Sequence, residues 1–174
     1  MSKKFFVILV MMVVLMGCGS SNSSNSSGNM PAGAVPSQAT PEAFQQQAMI
    51  LLSQGQLPAA VETLQKATEL FPEDANTYFT LAQVYMKIGS FDNAIVVCQQ
   101  ALEKTPDNGH IYLLMAGCYD LKNEPQKAID LVKMSMVIFQ KQKDTKSLEA
   151  AAVVLQKLTE RSSEEIKGLK KVTK

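Results

Sequence analysis

Tryptophan is absent from this chain, histidine occurs once and cysteine three times. That scarcity limits the chemistry available. A single imidazole, His110, with no His/Cys/Asp cluster at metal-ligand spacing, cannot build a zinc site, so no metal is expected. No G-x-S-x-G, H-E-x-x-H or phosphate-cradling glycine loop occurs, so catalytic residues, a bound cofactor and a small-molecule substrate are not expected either. Charge of one sign is also lacking. Residues 41–142 carry seven basic and 11 acidic side chains, and residues 143–174 carry eight and five. An acidic stretch without a basic stripe argues against nucleic acid as a partner. The basic tail reads as a solvated helix end rather than a lipid-binding patch. Long apolar runs are missing too. Phe5 to Met16 is unbroken for 12 residues, whereas a membrane-spanning helix needs about 20.

That short run, preceded by Lys3 and Lys4, fits the core of an export signal. The sequence Leu15-Met16-Gly17-Cys18 follows it and resembles the lipobox of bacterial lipoproteins. Gly17 fits the small position and Leu15 the aliphatic one, while Met16 departs from the usual small residue. The resemblance implies cleavage before Cys18 and acylation of that cysteine, palmitate among the chains. Residues 1–17 are then the signal peptide and Cys18 the lipidated N-terminus. Gly19 stands where an Asp favours the inner membrane in enterobacterial lipoproteins. The expected address is therefore the cell envelope, on the outer membrane facing the periplasm rather than on the inner membrane. Residues 18–40 are rich in Ser, Asn, Gly, Pro and Ala, with no apolar period, and read as a flexible tether.

From Pro41 onward one step of 34 residues recurs. Phe44, Tyr78 and Tyr112 obey it, as do Ala48, Ala82 and Ala116, then Leu51, Tyr85 and Tyr119, then Ala60, Ala94 and Ala128. Gly55 and Gly89, Ala67 and Ala101, and Pro72 and Pro106 keep the same step. A fixed period of this length, with small and aromatic residues in register, marks a stacked helix-turn-helix array. Three units are expected, at 41–74, 75–108 and 109–142. Thr40 suits the N-cap of the first helix and Pro41 its first turn. In the third unit Asn123 replaces the turn glycine, Ser135 the late alanine and Gln140 the closing proline, so its second helix is expected to run past Phe139. Within 143–174, Leu148, Ala151, Ala152, Leu155 and Leu158 recur at helical spacing. They predict a terminal helix that covers the open end of the array and frays from Ser162.

This register resembles the tetratricopeptide repeat over residues 41–142. The resemblance implies an all-α fold: a right-handed superhelical stack of three helix-turn-helix units plus a C-terminal capping helix. In that family the first helix of each unit lines a concave face. The residues so placed are Glu42, Gln45, Met49 and Leu52 in the first unit, and Asn76, Phe79, Gln83, Met86 and Lys87 in the second. The third adds His110, Leu113, Gly117, Asp120 and Leu121. Methionines and an aromatic among neutral polar groups suit a peptide or amphipathic helix of a partner protein. Chaperone-binding members of the family clamp a terminal carboxylate with Lys and Asn; Gln45, Met49 and Gln83 stand in comparable places here, and the basic clamp is missing.

The expected function is a membrane-anchored protein–protein interaction scaffold of the envelope, by analogy with pilotin-like lipoproteins of pilus and secretion systems. An accessory subunit of outer-membrane protein assembly and a structural spacer are the alternatives. Two cysteines remain after Cys18. Cys98 and Cys118 sit on facing kinds of helix, and two states are open to them: a disulfide, which an oxidising compartment permits, or a pair of buried thiols.

Overall fold

A computed structural model describes residues 39–172, with side chains described through residue 163. The expected signal peptide, Cys18 and nearly all of the expected tether lie outside the described residues. Those described hold seven helices and no strand. They are α1 (Pro41–Ser53), α2 (Leu57–Leu70), α3 (Ala75–Lys87), α4 (Phe91–Lys104), α5 (Gly109–Leu121), α6 (Pro125–Gln142) and α7 (Thr145–Val172). The chain divides into two compact units at the Pro106–Asp107 junction. One contains α1–α4 and the other α5–α7.

The period writes the helix ends as well as the interior. Thr40, Asp74 and Asn108, again 34 apart, cap α1, α3 and α5. Their side chains accept from the amides of Ala43 (3.3 Å), Thr77 (2.9 Å) and His110 (3.1 Å). Each cap satisfies a donor that the first helical turn leaves without a partner. The turns inside each unit share one solution. Gly55 (φ 74°), Gly89 (φ 78°) and Asn123 (φ 64°) adopt the left-handed conformation. The next amide then reaches back to the carbonyl of Leu51, Tyr85 or Tyr119 at 2.8–2.9 Å. This is the Schellman closure, in which the left-handed residue lets the following amide reach the last open carbonyls.

In the first unit α1 packs on α2, α2 on α3 and α3 on α4, and α1 also touches α3. Close approach depends on the alanines. Ala48, Ala60, Ala67, Ala82, Ala94 and Ala101 are fully buried, along with Phe44 and Leu64. Phe71 closes the first repeat edge-on to Phe44, with ring centroids 6.1 Å apart.

In the second unit α5 pairs with α6 and α6 with α7. Ser135 takes the slot of the missing alanine, fully buried, and its hydroxyl donates to the Val132 carbonyl at 2.7 Å. Without a proline to stop it, α6 continues to Gln142 and ends where Lys143 turns left-handed (φ 58°). Phe139 lies so close to Gly109 that a methyl group there would sit 2.6 Å from the ring. Asp144 then caps α7 through the amide of Ser147 (3.0 Å). The terminal helix runs from Thr145 to Val172. Among the described residues no helix is long and apolar enough to cross a membrane.

Candidate functional site

Helices α1 and α3 lie side by side within one unit, and a polar contact fixes their spacing. Gln45 Nε2 donates to Asp74 Oδ2 (3.2 Å) and to Thr77 Oγ1 (3.1 Å). Gln45 therefore holds the start of α3 against α1 and offers little of its amide to a ligand. Around this contact the expected groove residues divide. Met49 is 57% exposed, Asn76 and Lys87 are exposed, and Leu52, Phe79 and Gln83 are half-buried. Met86 departs from expectation, being only 4% exposed. It falls four residues after Ala82 and next to Tyr85, on the buried stripe of α3, so it serves packing and not a partner. The face that remains open on α1 and α3 has Met49, Leu52 and Phe79 as its apolar part. Asn76 and Gln83 give it neutral amides, and Lys87 is its cation.

The equivalent face of α5 is filled from within. Leu113 is buried in one cluster with Ala151, Val154 and Leu158 of α7. Asp120, also buried, pairs with Arg161 of α7 through both carboxylate oxygens. Leu113 and Asp120 are thus occupied by the terminal helix and are not open to a partner. The reason is electrostatic as well as apolar. Asp120 is the one charged residue in the α5 sequence GHIYLLMAGCYDL, and a buried carboxylate requires a cation or several donors. That isolated acid is the signal from which Arg161 could have been sought; the repeat register alone does not reach it.

His110 is half-buried, its ring 4.9 Å from that of Phe139. Burial holds its pKa below the ordinary imidazole value, with the Asp144 carboxylate opposing the shift. Cys98 and Cys118 are each fully buried in the structure. Burial pushes the Cys118 thiol up to about 12, leaving it neutral and inert at physiological pH. Among the described residues no group of three His, Cys, Asp or Glu side chains is placed to hold a metal ion.

Paired helices in a 34-residue step, with small residues at the contacts and an open first-helix face, define a helical repeat protein. Two family models identify the repeat. One described as TPR repeat matches residues 49–89, and one described as tetratricopeptide repeat matches residues 89–152. These residues, more than half of the chain, are tetratricopeptide repeats. Solved structures share the fold. The TPR2B domain of yeast Sti1, in its pHsp70 complex, is 21% identical at a TM-score of 0.64, over 70% of this chain and 97% of that domain. The Yersinia enterocolitica type III secretion translocator chaperone SycD is 17% identical at a TM-score of 0.65, over 72% and 96%. The first TPR of Spaghetti (RPAP3), bound to an HSP90 peptide, is 13% identical at a TM-score of 0.63, over 75% and 99%. No curated protein matches by sequence.

Proposed function

We propose that this chain is a lipid-anchored, non-enzymatic interaction module of the bacterial cell envelope. It holds a peptide or helix of an envelope protein on the α1/α3 face of its first two repeats. The observation that carries this reading is the contrast between the two units. The α1/α3 face leaves Met49 and Phe79 at the surface, whereas the matching face of α5 is filled by α7. An adaptable thioether and an aromatic anchor within neutral amides suit an amphipathic helix or a short extended segment. The Sti1 and RPAP3 domains hold Hsp70 and HSP90 peptides on this fold, and SycD is a secretion translocator chaperone. Lacking the Lys and Asn clamp, the present face selects for a side-chain pattern rather than a terminal carboxylate.

The address rests on sequence. Cys18, preceded by Leu15-Met16-Gly17, is the lipidation site, and Gly19 favours the outer membrane facing the periplasm. The best fitting role is assembly of a pilus or secretion complex, ahead of outer-membrane protein assembly or a passive spacer. Replacing Met49 and Phe79 by Glu, followed by crosslinking and capture from membranes, tests the groove. Loss of a specific partner is expected; unchanged capture would favour the spacer. Mass spectrometry of the mature N-terminus tests the address, and an unmodified Met1 would overturn it.

A further inference from the structure

A second recess lies on the opposite kind of helix. Between α2 and α4, floored by Leu81 and Tyr85 of α3, is an open cavity of about 400 Å³. Its walls are two helical stripes. Gln65 and Glu69 come from α2, and Asn93, Val96 and Gln100 from α4. Gln65 Nε2 donates to the Tyr85 hydroxyl at 2.8 Å, which orders the floor. Val96 is 51% exposed, and Leu70, next in sequence to Glu69, is 50% exposed. Continuing the stripes along each helix adds Glu62, three residues before Gln65, and Glu103, three after Gln100. The two helices hold only two cations, Lys66 and Lys104, and Lys104 is taken by Glu73 at 2.8 Å. The recess is therefore acidic at its edges, amide-lined within, and apolar at Val96.

The complementary chemistry is in the same chain. Residues 167–174 contain Lys167, Lys170, Lys171 and Lys174 with no carboxylate, and carry Leu169 and Val172 between them. Residues 39–106 hold seven carboxylates against three lysines, a net of −4. We infer that the recess between α2 and α4 is a docking site for the lysine-rich C-terminal stretch, residues 167–174, of a second copy of this chain. Lysine ammonium groups meet Glu62, Glu69 and Glu103, while Leu169 and Val172 meet Val96 and Leu70. The two surfaces differ, so the contact is heterologous and each bound copy offers a fresh recess. Such a contact grows head-to-tail instead of closing as a dimer. It is also electrostatic at an exposed site and must weaken as salt screens it.

Sedimentation velocity of the full chain tests this. At low ionic strength, about 0.02 M, the wild type is expected to sediment faster with rising concentration, and at about 0.5 M salt to be monomeric. Glu69→Lys destroys the recess and Lys170→Gln/Lys171→Gln neutralises the tail, so each variant alone is expected to stay monomeric. Mixed one to one, they restore one contact, from the tail of the first to the recess of the second, and growth stops at a dimer. Glu69 is an exposed surface position, so unchanged thermal melting checks its folding, and Gln100→Lys serves as a second recess variant. A wild type that is monomeric at low salt overturns the inference. So does association that survives both recess variants, or a mixture that forms no dimer. None of these outcomes bears on the α1/α3 face.

Discussion

Single residues carry much of the geometry of this protein, and Gly109 is the clearest case. It occupies the repeat position that Ala75 fills one period earlier, yet the ring of Phe139 leaves no room for a methyl group. Gly109→Ala is expected to destabilise the chain by about 1–3 kcal/mol through overpacking. Chemical denaturation measures this, and adding Phe139→Leu should recover part of the loss. The neighbouring His110 supplies a pH dependence with a definite sign. Its pKa is depressed in the folded state by burial. On acidification below about 6.5 the unfolded chain protonates first, so stability falls until the folded-state pKa is passed and then levels. Above about 6.5 both states are neutral and His110 contributes no slope. His110→Gln is expected to flatten the wild-type decline in melting temperature on acidification; an unchanged slope would remove His110 as its source. The asparagine at 123 shows how a residue substitutes without loss of form. It reproduces the left-handed turn of Gly55 and Gly89 because its short polar side chain tolerates that conformation.

Among the elements, α7 departs furthest from a plain repeat. It packs on α6, joins the cluster around Leu113, and binds Asp120 through Arg161. Arg161→Ala leaves the Asp120 carboxylate buried without its guanidinium. With Arg161 about one-third exposed, the expected cost is about 1–3 kcal/mol, below that of a fully buried pair. Replacing both residues by Leu is expected to cost less than Arg161→Ala alone, because no stranded charge remains. Equilibrium unfolding of the three proteins measures the coupling, and additive effects would contradict it. The same helix marks the boundary of what the sequence reveals. The pairs α1/α2, α3/α4 and α5/α6 are legible because the 34-residue step fixes small, aromatic and turn residues together. Even the run-on of α6 follows from Gln140 standing where a proline would end it. Register also places Leu113 and Asp120 on a first-helix face. It cannot show that a helix about 40 residues later returns to cover that face, because this pairing is long-range and obeys no period. Met86 is missed for a different reason. On a helix with inner residues at steps of three and four, positions at the edge of the stripe fall on either side of the boundary, and packing decides them.

For the whole molecule, the division of charge matches the division of surfaces. Residues 39–106 carry seven carboxylates to three lysines, and residues 107–174 carry twelve Lys and Arg to nine carboxylates. The acidic first unit retains an open first-helix face, and the basic second unit uses its own terminal helix to fill the corresponding one. A face built from two repeats suits a short helix or peptide and is too small to wrap a domain. The most direct test of this account places a photo-crosslinking amino acid at Phe79 in cells, with the exposed position Lys157 of α7 as control. An adduct of one defined mass, containing a different envelope protein, is expected from position 79, and none of that mass from position 157. Absence of any adduct from position 79, or the same adduct from both positions, would contradict it.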